Sequence, residues 1–280
     1  MPNRNAVVVT GASSGIGAAL VELLAREGYV AFAGVRGEAD AATVATLHPN
    51  VRPLRVDVTD RASVDAAARA VAASGLVLRG VVCNAGIAVA GPLEYLPVDQ
   101  LRRQFEVNVF GAVEVAQAFL PQLRAARGRL VFVGSSSGRL AVPFIAPYSA
   151  SKFALRALAD GWRVELAPFG VAVALVEPSA VKTPIWAKGR AAVPDLLAQL
   201  PPEAHERYGE AVRALAAATE REERSAMPVA AVTRAIRHAL TAPKPRANYL
   251  LGTAARAGSV VALLPAGVRD RLVRKTLRLP

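Results

Sequence analysis

Residues 7–17 read VVVTGASSGIG, and this stretch decides the fold. Its apolar, β-branched run predicts a strand that ends at Thr10, and a helix is predicted to begin near Gly15. The tight turn between them presents unpaired backbone N–H groups at the positive end of a helix dipole. Gly11, Gly15 and Gly17 remove three Cβ atoms along that turn. The stretch is therefore suited to hold a diphosphate against bare backbone.

The other residues of this loop support the same interpretation. Ser13 and Ser14 add hydroxyl donors, and Ile16 between the last two glycines is a further candidate contact for a nucleotide cofactor. The spacing is G-x-x-x-G-x-G, whereas the general dinucleotide fingerprint is G-x-G-x-x-G. Structural turns also use glycine, so the pattern gains its weight from its place between the first strand and the first helix.

Apolar β-branched runs recur along the chain, separated by Ala-, Leu- and Arg-rich stretches whose apolar residues are three and four apart. The predicted strands are residues 6–10, 30–35, 51–56, 78–84, 128–135, 171–178 and 248–252. This alternation predicts the α/β class: a Rossmann-type, doubly wound parallel sheet of about seven strands with helices on both faces. We expect one domain over residues 1–280, with ligands bound beyond the carboxyl ends of the strands.

Two segments depart from the alternation. Residues 185–226 look helical and charged and contain no strand candidate, so we expect a helical substrate lid after the sixth strand. A helical pair without that role is the alternative. Residues 253–280 end in LLPAGVRDRLVRKTLRLP, where basic residues alternate with Leu and Val. This pattern predicts a basic amphipathic tail that contacts an anionic membrane or a partner, or else a last helix with a solvated face.

The composition argues against several classes of protein. The net charge is +12, but the arginines are scattered through Ala-rich segments, so we expect no nucleic-acid partner. Cys83 is the one cysteine, which excludes an intramolecular disulfide, and the histidines are too far apart in sequence to predict a metal site. The apolar run after Arg4 is too short for a signal peptide, and no apolar segment reaches about 20 residues. We therefore expect a soluble, cytoplasmic protein.

The residues after the second and third strands bear on the choice of cofactor. At the position of Arg36 an acid would bind the ribose 2′-hydroxyl of NAD, whereas an arginine can pair with the 2′-phosphate of NADP. That pair is charge-assisted and often bidentate, so NADP(H) is favoured, while Glu38 nearby leaves NAD(H) open. Asp57 is predicted to accept a hydrogen bond from the adenine amino group. The capping of the next helix is assigned instead to Thr59 or Asp60.

A candidate catalytic group follows the fifth strand. Tyr148 and Lys152 are four residues apart in a helical segment, so their side chains can reach a common point, and Ser135 ends the predicted strand. A phenol moves the proton of an alcohol poorly while its pKa stays near ~10. An ammonium at ~4 Å supplies about 4 kcal/mol at an effective dielectric of 20, enough to lower that pKa by about two to three units. Ser135 would hydrogen-bond the substrate oxygen.

Taken together, these motifs resemble those of the short-chain dehydrogenase/reductase family, over residues 5–183 by motif and beyond them by element order. TGASSGIG resembles the family's T-G-x-x-x-G-x-G loop, CNAG at 83–86 resembles its N-N-A-G motif, and YSASK is its Y-x-x-x-K. VNVFGAV places an asparagine at the position of the family's catalytic asparagine. The resemblance implies a catalytic tetrad of Asn108, Ser135, Tyr148 and Lys152. In it, Asn108 would hold a water that links the lysine to a proton relay.

The resemblance also implies cofactor contacts. Asn84 would support the nucleotide pocket, and Thr183 would bind the nicotinamide carboxamide together with backbone at Val181. With the residues derived above, the candidate cofactor-binding set is Gly11, Ser13, Ser14, Gly15, Ile16, Gly17, Arg36, Asp57, Val58, Asn84, Ala85, Gly86, Tyr148, Lys152, Pro178, Val181 and Thr183. Two positions depart from the family pattern. Cys83 replaces an asparagine, and Ser179 replaces the usual glycine after strand six, where the turn geometry is in question.

Arg36 and the segments GPLEYL, QAFLPQLR and KFALRALADGWRVELAPFGV resemble the 17β-hydroxysteroid and retinol dehydrogenase branch of the family. That branch implies NADP and a bulky apolar alcohol or ketone. The substrate positions would be Val142, Phe144 and Trp186, each of which could equally be ordinary loop packing. Family members form dimers or tetramers through the helices starting near Leu101 and Ala146. A homodimer or homotetramer is therefore implied.

The predicted function is an NADP-dependent oxidoreductase that interconverts a secondary alcohol and a ketone or aldehyde, on a steroid-, retinoid- or lipid-like substrate. One alternative is an isomerase or epimerase, which would retain the same tyrosine and lysine. Another is a cofactor-binding regulator or membrane-surface protein without turnover. A regulator would be expected to have lost part of the tetrad, and all four members are present.

Overall fold

The predicted strands form one parallel sheet. The computed structural model describes residues 4–184, 201–277 and 279, and within them seven strands lie in the order β3-β2-β1-β4-β5-β6-β7. They are β1 (Asn5–Thr10), β2 (Val30–Val35), β3 (Val51–Arg55), β4 (Val77–Cys83), β5 (Arg129–Val133), β6 (Ala172–Pro178) and β7 (Asn248–Leu251). The predicted α/β fold class is confirmed, and every predicted strand is present with its ends displaced by at most two residues.

Helices connect the strands on both faces of the sheet. Before β6 they are α1 (Gly15–Arg26), α2 (Glu38–Ala45), α3 (Arg61–Ala73), α4 (Val98–Phe105), α5 (Gly111–Ala126) and α6 (Ala146–Leu166). A π-helical turn, Glu106–Phe110, joins α4 to α5, and 3-10 turns occupy Ser136–Gly138 and Ala167–Phe169. After β6 the described helices are α7 (Pro202–Arg224), α8 (Val229–Thr241), α9 (Thr253–Val261) and α10 (Ala266–Leu277).

Two buried clusters, one on each face of the sheet, form the core. Val8 and Phe132 pack with residues of α3, α5 and α6, whereas Val7 and Val131 pack with residues of α1 and α8. Successive side chains of a strand point to opposite faces, so a sheet covered on both sides needs apolar residues at consecutive positions. This requirement explains why the strands read as continuous apolar runs rather than as alternating ones.

The strand order places the site. Strand β1 lies between β2 and β4, so the chain winds one way from β1 to β3 and the other way from β4 to β7. In a doubly wound sheet this reversal opens a crevice beyond the carboxyl ends of the strands, and ligands bind there. The glycine loop, the residues after β4 and the residues after β5 all meet this crevice because their strands end at the same edge.

The predicted lid segment is described in part. Its residues 185–200 lie outside the described residues, and the following residues form the long helix α7. Within the predicted tail, residues 253–280, the structure describes the two helices α9 and α10. Within the ranges given above, no helix has both the length and the apolarity needed to cross a membrane.

Candidate active site

The glycine loop brings backbone into close contact with backbone. Gly11 and Gly15 adopt left-handed conformations, with φ of 64° and 57°. A Cβ at Gly11 would lie 2.8 Å from the Cα of Ala85, and one at Gly17 would lie 2.8 Å from the Cα of Ala12 and closer still to the Gly11 carbonyl oxygen. Side chains are thus excluded along the path between β1 and α1. This bare cradle at a helix N-terminus fits a dinucleotide diphosphate.

The helix that follows the loop leaves room for an anion at its start. Ser14 is the N-cap residue of α1 and makes no side-chain capping hydrogen bond, and the first turn of α1 contains no acidic residue. The predicted contacts Ser13 and Ile16 lie half-buried in the same loop. The N–H groups and the positive dipole end of the helix therefore meet no carboxylate from this turn.

The end of β4 braces the glycine loop. The side-chain Nδ2 of Asn84 donates to the carbonyl oxygens of Thr10 and Gly11 at 2.9 and 3.1 Å. The backbone N–H groups of Asn84 and Ala85 both donate to the Thr10 hydroxyl at 3.1 Å. Gly86 follows directly, and a Cβ there would lie 3.3 Å from the Asn108 side-chain oxygen. The structure thus places Asn84 as a support of the loop, the position implied for it.

Arg36 is a cation on the side of the crevice where the adenosine of the cofactor is predicted to lie. Thr59 donates to Asp57 from its backbone N–H and its hydroxyl. The backbone hydrogen bond is the largest cause that holds the pKa of Asp57 below its usual value, against burial, and the nearby charge of Arg36 contributes in the same direction. Arg36 is exposed after β2, and Glu38 forms an ion pair with Arg55. The acid that left NAD(H) open is thus already paired with a cation, which favours a phosphate at Arg36.

The geometry near Asp57 confirms one smaller prediction, whereas the cofactor contact of Val58 stays a prediction. Asp60 is the N-cap residue of α3 and accepts from the backbone N–H of Ala62 at 2.9 Å, so the assignment of the cap away from Asp57 is confirmed. Val58 is buried, and its carbonyl oxygen would lie 2.7 Å from a Cβ placed on Gly111. The start of α5 therefore packs directly on the residue that follows Asp57.

The structure brings three candidate catalytic residues together. Tyr148 and Lys152 lie on α6, with the lysine Nζ 5.6 Å from the centroid of the tyrosine ring. Ser135 hydrogen-bonds to Tyr148 and accepts from the backbone N–H of Ser137 at 3.1 Å. Strand β5 ends at Val133, so Ser135 lies two residues beyond the strand and caps the 3-10 turn.

The ionisation of this group differs from the sequence-based expectation. Lys152 Nζ donates to the carbonyl oxygen of Val133 at 2.8 Å, and burial lowers the pKa of this lysine to about 8. Burial raises the pKa of Tyr148, and the hydrogen bond with Ser135 opposes that rise. The expected lowering of the phenol pKa by the ammonium is therefore corrected: desolvation is the larger effect, and the ammonium is held by a backbone oxygen.

Asn108, in the π-helical turn, hydrogen-bonds to the segment after β4 and to α6. Its side-chain N–H groups donate to the Ile87 carbonyl oxygen and the Ser151 hydroxyl, both at 3.0 Å. Its side-chain oxygen accepts from the Ile87 backbone N–H at 2.9 Å. It lies in the π-helical turn, a feature frequent at functional sites. Because both side-chain N–H groups are engaged, they are not free to donate to the implied water.

Sequence reasoning missed Gln104, which supports the same segment. Gln104 is fully buried in α4, accepts from the backbone N–H of Val89 at 2.7 Å and donates to the Ile87 carbonyl oxygen at 2.8 Å. A glutamine in a polar helix carries no signal of burial in the sequence. Together with Asn108 it fixes the backbone that follows the N-N-A-G-like motif.

On the nicotinamide side, the segment after β6 meets the glycine loop. A Cβ at Gly15 would lie 3.2 Å from the methyl carbon of Thr183, and Val181 forms an isolated bridge with Met227. Pro178 is the last residue of β6. The predicted contacts Pro178, Val181 and Thr183 are thus placed along one wall of the crevice, opposite the loop.

The serine that departs from the family pattern is accommodated locally. Among the described residues with positive φ, the non-glycines are Arg127 and Phe144, so Ser179 does not need the conformation that favours glycine. Its backbone N–H donates to the Leu251 carbonyl oxygen at 3.0 Å. Gly252 faces it with φ of 99°, and a Cβ there would overlap the serine hydroxyl. Glycine at 252 therefore makes room for the serine at 179.

The candidate substrate residues lie where α7 meets the core. Phe144 has φ of 65°, a strained conformation for a bulky residue, and its carbonyl oxygen accepts from Gly91 at 2.7 Å. Its ring meets that of Tyr208 on α7 edge to face, with centroids 6.1 Å apart. Val142 is half-buried and donates to the Ser149 hydroxyl at 3.3 Å. Trp186 lies outside the described residues.

A lid latch, formed by Glu94, Tyr95, Arg207 and Tyr208, was also missed. Glu94 accepts from Arg207 at 3.0 Å and from the Tyr208 hydroxyl at 2.7 Å. Arg207 donates to the Tyr95 hydroxyl at 2.8 Å as well, and the two tyrosine rings are 6.0 Å apart. The carboxylate raises the pKa of the Tyr208 phenol. This latch fastens α7 to the segment after β4.

A cleft of about 600 Å³ opens between α7 and the segment after β6. It is lined by Lys182, Thr183, Pro184, Glu220, Glu223 and Arg224. Because Thr183 also faces Gly15, the cleft adjoins the crevice that the glycine loop borders.

Comparison with known proteins agrees with this geometry. The model of the short chain dehydrogenase family matches residues 5–193. The NADPH-dependent 3-dehydrocapnine reductase of Ornithobacterium rhinotracheale is 35% identical over 282 residues, covering 97% of this chain and 96% of the relative. Retinol dehydrogenase 5 of Mus musculus is 34% identical over 290 residues, covering 98% and 89%.

A solved structure has the same architecture. The crystal structure of a short chain dehydrogenase from Burkholderia cenocepacia J2315 in complex with NADP superposes with a TM-score of 0.73, at 26% identity, and covers 99% of this chain and 100% of that one. The family match spans the glycine loop, the serine after β5 and the tyrosine and lysine of α6. The chain therefore belongs to the short-chain dehydrogenase/reductase family of oxidoreductases.

Proposed function

We propose that this oxidoreductase interconverts a secondary alcohol and a ketone or aldehyde with NADP(H), on an apolar substrate. The observation that carries the proposal is the convergence of Ser135, Tyr148 and Lys152 beyond β5, with Lys152 hydrogen-bonded to the last residue of that strand. The crevice places this group beside the glycine loop because the strands end at one edge. A proton donor and a diphosphate cradle thus share one site.

NADP(H) is the cofactor that fits the adenosine side. Arg36 offers a guanidinium next to Asp57, and Glu38 is occupied by Arg55. One relative is named as NADPH-dependent, and a solved relative was crystallised with NADP. The preference predicted from Arg36 agrees with both.

The chemistry of the site suits reduction of a carbonyl. Bound along the glycine loop, NADPH would supply the hydride for the carbonyl carbon. Tyr148, whose pKa is raised, is a neutral phenol at neutral pH and gives its proton to the carbonyl oxygen as negative charge develops there. Ser135 donates a hydrogen bond to the same oxygen, and the Lys152 ammonium stabilises the phenolate that remains. In oxidation each step runs in reverse.

The lid favours an apolar substrate. Aromatic rings of Tyr95, Phe144 and Tyr208 meet at the contact between α7 and the core, and Val142 lies in the loop that leads to α6. The two named relatives differ in the substrates their names give, so the substrate class rests on these side chains. A bulky apolar ketone or alcohol is the class that such a surface would bind.

The test measures the oxidation of NADPH from its absorbance, in the presence of a panel of apolar ketones. We expect turnover by the wild type and a loss of about 10²- to 10⁴-fold in kcat for Tyr148→Phe, because a general acid is removed. NADPH binding should be unchanged, and Tyr29→Phe is the matched control. Equal rates in Tyr148→Phe and the wild type would contradict the proposal. NADPH binding without turnover would favour the regulator, and product without net NADPH consumption would favour an isomerase.

We also propose a contact with an anionic membrane surface through α10. Val268 and Leu272 are exposed and one helical turn apart, and Arg271 and Lys275 each follow one of them by three residues. Basic side chains beside apolar ones suit an anionic interface. Co-sedimentation with phosphatidylserine vesicles, but not with phosphatidylcholine vesicles, is expected, and Arg271→Glu/Lys275→Glu should abolish it. Equal co-sedimentation with both lipids would contradict the proposal.

A homodimer or homotetramer is proposed from the outer face of α6. Phe153 and Val164 are exposed on one face of this helix, three turns apart, and Phe110 is exposed at the start of α5. Burial of these apolar side chains by a second copy would stabilise an oligomer. Val164→Glu should give a monomer in light scattering, with Thr241→Glu on α8 as the control. A wild-type monomer would contradict this.

A further inference from the structure

A buried ion pair lies behind Ser135. Arg139 donates to Glu177 through Nε and Nη2, at 2.9 and 2.5 Å to the two carboxylate oxygens. The glutamate side chain is 1% exposed and that of the arginine 17%. Two parallel hydrogen bonds between a planar guanidinium and a carboxylate fix both groups in distance and in orientation.

The arginine belongs to the same turn as the serine. Ser135 caps the 3-10 turn Ser136–Gly138, its carbonyl oxygen accepts from Gly138 at 2.9 Å, and Arg139 follows directly. The backbone N–H of Arg139 donates to the Ser136 carbonyl oxygen at 3.0 Å. Residues 135–139, called the serine turn below, are therefore linked by successive hydrogen bonds, and a shift of Arg139 shifts Ser135.

The serine turn packs between α6 and β6. On one side, a Cβ at Gly138 would lie 2.8 Å from the carbonyl oxygen of Lys152, so the turn packs tightly on α6. On the other side, Gly134 donates to the Val176 carbonyl oxygen at 2.7 Å, beside Glu177 on β6. The ion pair thus anchors the far end of the turn to the strand that leads into the nicotinamide-side segment.

The contribution of the Arg139–Glu177 ion pair to folding stability does not by itself explain why the pair is present. Replacing a buried ion pair with apolar residues of similar volume is often neutral or stabilising, because the desolvation of both charges offsets their attraction. What apolar residues cannot reproduce is the fixed orientation of a bidentate contact. A reaction that needs a hydroxyl at a set position gains from such a contact, since small displacements of catalytic groups are costly.

We infer that Arg139 and Glu177 are positioning residues that hold the Ser135 hydroxyl against Tyr148 for the reaction. The inference rests on the proposed function, because it acts through the role proposed for Ser135. It predicts an effect on kcat that depends on the presence of the serine hydroxyl. Binding of NADPH should not depend on the pair.

The experiment is a double-mutant cycle on NADPH oxidation. Arg139→Lys keeps the charge but loses the bidentate geometry, and it should lower kcat about tenfold while the Kd for NADPH changes less than about twofold. In a Ser135→Ala background, assayed at high enzyme concentration, the same change should lower the residual kcat less than about twofold. Arg163→Lys, in an ion pair with Asp160 on the outer part of α6, is the control and should leave kcat unchanged.

A second variant separates an effect on catalysis from a loss of folding. Arg139→Met/Glu177→Met removes both charges and keeps the volume, so it should fold with an unchanged melting temperature and show the same tenfold loss in kcat. Equal fold-losses from Arg139→Lys with and without the serine hydroxyl, or full activity in the double methionine variant, would overturn the inference alone. No NADPH oxidation by the wild type would overturn the proposed function, and the inference with it.

Discussion

The two sides of the active-site crevice are held together in different ways. On the cofactor side, Gly11 and Gly17 meet neighbouring backbone with no room for a Cβ, and Asn84 donates to backbone oxygens. On the other side, α7 is held by side-chain contacts, and Arg207 and Glu94 of the latch are 60% and 47% exposed.

The two sides differ in the substitutions that they tolerate. A backbone contact without space tolerates almost no substitution, whereas an exposed side-chain contact can be replaced at little cost to the fold. We therefore expect substitutions in the glycine loop to be costly and substitutions at the α7 contact to be tolerated. Substitutions on the two sides should therefore differ in the size of their effects.

The largest effect is expected from Gly17→Ala. The added methyl group would meet the Ala12 Cα at 2.8 Å and the Gly11 carbonyl oxygen at a shorter distance, so the loop must shift. We expect the Kd for NADPH, from fluorescence titration, to rise at least about 100-fold, and the free energy of unfolding in urea to fall by about 1–3 kcal/mol. Gly161→Ala on α6 is the control, because its nearest atom is 3.7 Å away. Unchanged NADPH binding in Gly17→Ala would mean that the loop does not hold the diphosphate.

A smaller change in cofactor binding is expected from Arg36→Asp. Removing one hydrogen bond between charged groups costs about 1.5–3 kcal/mol, so the affinity for NADPH should fall about 10- to 100-fold while that for NADH is kept or improved. Both constants can be measured by titration. Arg69→Asp, an exposed site on α3, makes the same change in charge and should leave both constants unchanged. If selectivity for NADPH survives in Arg36→Asp, the 2′-phosphate is bound elsewhere.

The pH dependence of kcat should show the ionisation of the buried Lys152. Because the pKa of Lys152 is lowered to about 8, its ammonium is present below that pH and lost above it. If the charge stabilises the phenolate, kcat for reduction should fall about tenfold for one pH unit above 8. Lys152→Arg stays charged throughout, so its residual activity should lack this step. A wild-type profile without a fall near pH 8, or a fall that persists in the arginine variant, would be inconsistent with this role.

The smallest effect is expected from Glu94→Gln in the latch. The variant keeps the shape of the side chain but weakens the contacts to Arg207 and Tyr208, so the KM for an apolar ketone should rise about threefold with little change in kcat or melting temperature. Glu210→Gln, at an exposed glutamate on the same helix, is the control. A loss of kcat as large as that of Arg139→Lys would show that the two sides do not differ as described.

Much of the fold could be predicted because its signals are local. The strands are runs of Val, Ala and Leu that a sheet buried on both faces requires, and Gly11, Gly15 and Gly17 mark a turn where side chains are excluded. The spacing of Tyr148 and Lys152 placed them on one face of a helix without knowledge of the tertiary structure. These inferences depend on neighbours in the chain, which the sequence displays directly.

The remainder depends on contacts between distant residues. Glu94 and Arg207 are 113 residues apart, and Arg139 and Glu177 are 38 apart, so no spacing rule pairs them. Burial of Tyr148, which reverses the expected direction of its pKa change, is a property of the assembled crevice. The single domain, the lid role of residues 185–226, the cytoplasmic location, the oligomer and the substrate contacts of Val142, Phe144 and Trp186 stay predictions.

The central claim, hydride transfer to a substrate carbon beside Tyr148, has a direct test. NADPH carrying deuterium at both C4 positions would be incubated with an apolar ketone that is turned over, and the alcohol analysed by mass spectrometry. The account predicts one deuterium on the carbinol carbon with the wild type and almost no labelled alcohol with Tyr148→Phe. Alcohol formed without deuterium, or labelled at the same rate by both proteins, would contradict it.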